Sequence, residues 1–193
     1  QFAAAIAHVN RLDPRPDLVL LSGDLVDHGD AEEYAMLLRL LAPLDMPVLA
    51  IPGNHDWFDS LVAFSRTFCR PERGFAGCRT QQTRSYFALS LPANWWLVAI
   101  DLQLGTELDE PQVQYLKRVA AAMDPQAQVV LCVPEPQWIF EEAYPDHPAY
   151  TGGMLATLER DILQRPVRVF LAGDLHHYRR HEGPGGVQKI ISG

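Results

Sequence analysis

Three stretches of the chain join a short apolar run to a glycine turn carrying oxygen or imidazole side chains: Asp17–Asp27 (DLVLLSGDLVD), Pro47–Asp56 (PVLAIPGNHD) and Val167–His177 (VRVFLAGDLHH). Each Val-, Leu- or Ile-rich run predicts a buried strand. Ligands of open α/β sheets bind at the carboxyl edge of the strands. The turn residues Asp24, Asn54, Asp174 and His176 are therefore expected to meet at one site although they lie far apart in sequence. Such a mixture of carboxylate, carboxamide and imidazole is the donor set of a metal centre, and one suited to hydrolysis.

The intervening segments have helical lengths and patterns. Asp30 followed by Glu33 predicts a capping-box variant opening a helix to Leu41, with Tyr34, Leu37, Leu38 and Leu41 on one stripe. Trp57 to Phe68 predicts a second helix, with Leu61, Phe64 and Phe68 at helical spacing. Residues 70–83 are aperiodic and predict a loop. Ser85 to Leu91 and Trp95 to Leu102 predict a hairpin about Pro92-Ala-Asn94, with one of Trp95 and Trp96 facing inward. Asp109 predicts a cap for a helix with Pro111 in its first turn and Val113, Leu116 and Val119 inward. Val129 to Val133 predicts a strand, Met154 to Leu163 a helix, and Val167 to Leu171 and Val187 to Ile191 two further strands. Alternating strands and helices, with one antiparallel hairpin, indicate α/β layering. With no repeat or linker, residues 1–193 read as a single domain.

Composition narrows the function classes. At 193 residues, 48% hydrophobic and 21% charged, the chain has the make-up of a globular domain with a substantial core. Its formal charge of −8 argues against a broad basic nucleic-acid surface. A phosphate substrate remains compatible, because bound cations invert the local field. No apolar stretch approaches the roughly 18–20 residues of a membrane span. Of three cysteines, Cys132 lies in an apolar strand and reads as core, while Cys69 and Cys78 flank an Arg-containing loop and are close enough in sequence to pair or stay reduced. Reduced thiols and a cytoplasmic location are favoured, with the compartment left open. Oligomeric state is not written in the sequence.

The glycine turns resemble those of the calcineurin-like metallophosphoesterase family, whose signatures are Asp-x-His, Gly-Asp-x-x-Asp, Gly-Asn-His-Asp/Glu, a lone His and Gly-His-x-His. Gly23-Asp-Leu-Val-Asp27 and Gly53-Asn-His-Asp56 match the second and third letter for letter, in the same order and with helix-sized gaps. The resemblance runs from about Asp17 to His177. It departs in three places: no Asp-x-His precedes Asp24, Pro134 occupies the position of the lone histidine, and Asp174 stands where the fifth signature has its first histidine. Gln1 to Arg11 looks like the helix that follows the family's first strand. The chain is therefore expected to lack that strand and to be truncated at both ends.

The resemblance implies a four-layer αββα sandwich and a dinuclear metal site. Asp24 would bridge two divalent ions, Asn54 would bind the second through its carboxamide oxygen, and His176 would complete the first. Asp174 would replace an imidazole on the second ion. The oxygen-rich set favours Mn²⁺ or Mg²⁺, with Fe or Zn also compatible. His55 would face the scissile phosphate and serve the leaving-group oxygen, with Asp56 either orienting it or capping the next helix. Asp27 reads as support for the Asp24 turn. His177 and Glu135 are reserve ligands, His8, His28, His147 and His181 read as surface residues, and Arg79 and Arg84 as solvated. The implied activity is hydrolysis of a phosphomonoester or phosphodiester by metal-activated water. The alternative is a binding or scaffold domain that keeps the fold without the chemistry. A nucleotide-binding module is disfavoured because no glycine-rich phosphate loop opens a helix.

Overall fold

The computed structural model describes residues 2–70, 82–102, 107–147 and 153–193. Most of the expected 70–83 loop, with Cys78 and Arg79, lies outside the described residues, so the Cys69–Cys78 question lies outside them too. The chain divides into two compact units, Gln1–Ser85 and Tyr86–Gly193.

The first unit contains α1 (Phe2–Val9), β1 (Val19–Ser22), α2 (Ala31–Leu41), β2 (Val48–Ile51), a 3₁₀ turn (His55–Trp57) and α3 (Val62–Phe68). β1 and β2 pair in parallel, Val19 opposite Val48 through Ser22 opposite Ile51, because α2 supplies the crossover between them. The register brings both carboxyl ends to the same edge. Tyr34, Leu37 and Leu41 of α2 are buried with Ile6, Leu44, Met46, Val48, Ala50, Phe64 and Phe68. Tyr34 stands edge-on to Phe64 and Phe68, with ring centroids 6.4 and 6.3 Å away. The buried Gln82 covers Ala50, accepting from its N–H at 3.1 Å and donating to its carbonyl at 2.6 Å.

Two local expectations change here. Asp30 caps α2 as expected, its carboxylate accepting from the N–H groups of Glu32 and Glu33. The return bond of Glu33, however, goes to the N–H of His28 at 2.9 Å. The helix expected over Trp57–Phe68 is broken. Ser60 and Leu61 both take left-handed backbone, φ 63° and 59°. Asp59 then accepts from the N–H groups of Val62 and Ala63 at 2.9 and 2.8 Å, opening α3.

The second unit carries β3 (Phe87–Leu91), β4 (Trp95–Ala99), α4 (Glu110–Ala122), β5 (Gln128–Val133), α5 (Gln137–Ala143), α6 (Met154–Thr157) continuing into a π-helical turn over Leu158–Leu163, β6 (Val167–Ala172), β7 (Tyr178–Glu182) and β8 (Gln188–Ser192). Its six-stranded sheet has the order β3-β4-β5-β6-β8-β7. The four inner strands are parallel, and β3 and β7 are antiparallel to their neighbours. Asp109 caps α4 through the N–H of Gln112 at 2.9 Å. Leu116 and Ala120 pack with Val98, Val129, Leu131, Val133, Leu158, Leu163 and Phe170 in a continuous core, with Trp96 against it.

β7 is an edge strand exposed along most of its length and so carries no apolar signal in the sequence. α5 is a short helix behind Pro136, too brief to show a helical period in the sequence. His181, expected at the surface, is half-buried, and its Nε2 is covered. Both units are of mixed α/β type, as expected.

Candidate metal centre

The turn after β1 begins with Gly23 at φ 105°, followed by Asp24 at φ 49°. Left-handed backbone is uncommon for a non-glycine residue, though aspartate tolerates it better than most. The turn after β2 is Pro52-Gly53-Asn54, leading into the 3₁₀ turn. A Cβ on Gly53 would lie 2.2 Å from Oδ1 of Asp24 and 2.4 Å from its amide nitrogen. Only glycine allows the two turns to come this close.

Two carboxylates lace the turns together in opposite directions. Asp24 Oδ1 accepts from the His55 N–H at 3.1 Å. Asp56 Oδ2 accepts from the N–H groups of Gly53 at 2.8 Å and Leu25 at 3.2 Å. The other oxygen of Asp56 accepts a short hydrogen bond from the Tyr34 hydroxyl. Asp56 has no exposed surface. Burial pushes its carboxyl up to about 6, although the bonds from Tyr34, Gly53 and Leu25 favour the ionised form and the Asp24 charge opposes it. The Tyr34 hydroxyl is itself raised, first by burial and then by the Asp56 charge.

His55 is held by Asp27, whose residue type reads as support for the Asp24 turn. Its Nδ1 donates to the Asp27 carbonyl at 2.7 Å, while both oxygens of Asp56 are engaged elsewhere. The Asp27 carbonyl is the first cause of an upward shift of the imidazole, aided by the charges of Asp24, Asp27 and Asp56 and opposed by burial. Nε2 is the nitrogen turned away from that anchor. The half-buried Asn54 has helical backbone, and its carboxamide makes no capping bond to the turn it precedes. The first unit thus brings Asp24, Asn54, His55 and Asp56 together at the carboxyl ends of two adjacent parallel strands.

The second unit repeats the pattern after β6. Asp174 has φ 74° and His176 φ 49°. Asp174 is half-buried and His176 exposed. The Gly173 N–H donates to the Pro134 carbonyl at 3.2 Å, joining this turn to the one after β5. A Cβ on Gly193 would lie 3.0 Å from the His176 nitrogen and 3.1 Å from that of Asp174, so residues just beyond β8 also abut the turn. His177 donates from Nδ1 to the Leu175 carbonyl at 2.5 Å, within its own turn. Glu135 accepts from Gln137 Nε2 at 3.3 Å. Asp24, Asp174 and His176 share one feature: each is a non-glycine residue in left-handed backbone just beyond a strand. Such strain costs of order 1–3 kcal/mol per residue and clusters at functional sites.

Several contributors escaped the sequence reading. Tyr34 reads as core from its periodicity, and nothing local reveals its bond to Asp56. The carbonyl of Asp27 has no residue-type signature at all. Exposed Asp27 and His28 with half-buried Glu33 place ligand atoms within 4.8 Å of one another, His28 Nδ1 lying 3.3 Å from a carboxylate oxygen of each acid. Gly29, at φ 76°, packs beneath the His55 carbonyl, which a Cβ would approach to 3.1 Å. The donors themselves are suited to hard divalent ions: Asp24 and Asn54 offer oxygens from abutting turns, and Asp174 and His176 an oxygen and an imidazole from one turn.

Known proteins supply the comparison. Residues 1–178 match the family model described as calcineurin-like phosphoesterase. A probable glycerophosphodiester phosphodiesterase of Arcobacter nitrofigilis is 46% identical over 56 residues, 29% of this chain and 20% of that protein. The 3′,5′-cyclic adenosine monophosphate phosphodiesterase of Haemophilus influenzae is 32% identical over 63 residues, 33% of this chain and 23% of its own length. The matched stretches thus span less than a quarter of either relative. A dimetal phosphatase from Danio rerio superposes with a TM-score of 0.60 at 17% identity, over 98% of this chain and 76% of that one, and shares the fold. With the family match covering most of its residues, the chain belongs to the calcineurin-like phosphoesterases.

Proposed function

We propose that the protein is a divalent-metal-dependent phosphodiesterase whose metal ligands lie in its glycine turns. The observation that carries this reading is the reciprocal lacing of the Asp24 and Gly53-Asn-His-Asp56 turns, which presents Asp24, Asn54 and the His55 ring together. Asp24, Asn54, Asp174 and His176 would hold two ions, Mn²⁺ or Mg²⁺ by their oxygen-rich donors, with Fe or Zn also compatible. Bound divalent ions supply Lewis acidity towards phosphoryl oxygens and lower the pKa of water. A phosphodiester is preferred to a monoester because the relatives named above are phosphodiesterases.

The chain's own groups divide the remaining work. Asp24 fixes the His55 backbone, and the Asp27 carbonyl fixes the ring through Nδ1, leaving Nε2 to donate a proton to the departing alcohol oxygen. The imidazolium form needed for that donation is the one the Asp27 carbonyl favours. Asp56 and Tyr34 keep the two turns in contact and touch no substrate. A second reading, a binding domain without chemistry, draws on Pro134, whose carbonyl serves a backbone bond where the resemblance has an imidazole.

Bound metal and turnover of bis(4-nitrophenyl) phosphate, measured side by side, test the proposal. Asp24→Asn should lower both together. His55→Ala should retain metal and lose turnover by about 10²–10⁴-fold, the usual contribution of a positioned acid or base. Metal binding without any ester hydrolysis in the unaltered protein would favour the binding domain. Parallel loss of metal and activity in His55→Ala would make His55 a ligand instead.

A further inference from the structure

Phe58 is a large apolar side chain left 57% exposed, and its ring centroid lies 5.0 Å from that of His55 at an interplanar angle of 47°. The local backbone keeps it there. The Phe58 N–H donates to the His55 carbonyl at 3.2 Å, placing the phenyl one turn after the imidazole. Ser60 and Leu61, both left-handed, then interrupt the helix that the apolar spacing of Leu61, Phe64 and Phe68 would otherwise continue back to Trp57. Asp59 caps the restarted helix, so the break is bonded on its far side as well. Beneath it, the backbone of Gly29 packs on His55, Asp56 and Asp59 closely enough that a Cβ would meet all three at 3.1–3.4 Å. Two strained residues and a glycine contact hold a phenyl ring in solvent beside the group assigned to proton donation. Val62, at the start of α3 beyond the break, is 45% exposed.

We infer that Phe58 is a specificity-determining residue: a platform on which an aromatic substituent of the phosphate ester's leaving group stacks. This rests on the phosphodiesterase reading for its placement of the leaving oxygen at His55 Nε2. Nδ1 is anchored on Asp27, which leaves Nε2 for a substrate oxygen, and Phe58 packs against that same imidazole ring. A flat ring carried by that oxygen would meet a phenyl face or edge within ordinary aromatic contact, about 4.5–7 Å between centroids. A glycerol or other alkyl group would gain little there. The class of substrate favoured is therefore an aryl or nucleobase-bearing phosphate ester.

A role confined to buttressing the imidazole would use the same ring contact, so the test must separate selection from support. Phenylphosphonate and methylphosphonate share a charged head that cannot be hydrolysed, and their dissociation constants can be measured by calorimetry on the full-length protein with Mn²⁺ present. The unaltered protein should bind the phenyl compound more tightly by roughly three- to tenfold, the scale of one aromatic contact. Phe58→Ala should bring that ratio close to one while leaving methylphosphonate binding unchanged, and Phe58→Trp should preserve it. Equal weakening of both ligands in Phe58→Ala, an unchanged ratio, or no phosphonate binding at all would overturn the inference. Because no turnover is read, a protein that shows the Phe58-dependent ratio but hydrolyses no ester would refute the proposed activity and leave the platform standing. A protein that hydrolyses diesters with a ratio indifferent to Phe58 would do the reverse.

Discussion

At the scale of single residues, Gly53 has no room for a side chain. A methyl group there would overlap Asp24 at 2.2 Å from its carboxylate oxygen, and the nearest obstruction includes backbone as well as side chain. Gly53→Ala must therefore separate the turns. Its expected cost is about 1–3 kcal/mol, the usual range for overpacking a tight site, read from the midpoint of denaturant unfolding. Mn²⁺ affinity should fall with it. A variant with the original midpoint and affinity would show that the two turns are not held in register by this contact. Tyr34→Phe probes the other half of the lacing. It leaves a fully buried Asp56 oxygen without its hydroxyl donor, which should destabilise by about 1–3 kcal/mol. The Gly-Asp and Gly-Asn-His-Asp turns were legible because residue type and spacing encode them. Tyr34 and the Asp27 carbonyl were not, because a buried hydroxyl reads as one more core aromatic and a carbonyl is common to every residue.

At the scale of elements, the break between the 3₁₀ turn and α3 separates what local pattern encodes from what the turns impose. Leu61, Phe64 and Phe68 fit a helical stripe, and all three are buried. The pattern was therefore correct about which side chains face inward and silent about the left-handed Ser60 and Leu61. Asp59 is the residue that makes the interruption a new helix start. Asp59→Ala should cost about 0.5–2 kcal/mol through loss of the cap, seen as a lowered thermal midpoint. Leu61→Gly tests the strain separately: its φ of 59° suits glycine, but the lost buried side chain works the other way. Asp59→Ala with an unshifted midpoint would mean that packing of Phe64 and Phe68 alone sets the start of α3. The same contrast explains the strands. β2, with Val48, Ala50 and Ile51 buried, is visible from composition, whereas β7 is held by pairing with β8 and shows no apolar pattern.

At the scale of the whole molecule, each unit presents a comparable device, a parallel strand ending in a glycine turn with left-handed, metal-competent side chains. The fold class was legible because buried parallel strands leave continuous apolar runs separated by helix-length segments. The division into two compact units was not, since no linker composition marks residues 85 and 86. Among the described residues no helix is long and apolar enough to cross a membrane. The proposed metal dependence rests on the donor chemistry of Asp24, Asn54, Asp174 and His176. Asp24 with Asn54 offers oxygens, and Asp174 with His176 an oxygen and an imidazole. The most direct measurement is turnover of bis(4-nitrophenyl) phosphate by the full-length protein after chelation and after Mn²⁺ is restored, for the unaltered chain and for His176→Ala. The account predicts hydrolysis that disappears on chelation, returns with Mn²⁺, and fails to return at the same Mn²⁺ concentration in His176→Ala. Hydrolysis that persists after complete chelation, or that His176→Ala leaves untouched, would contradict it.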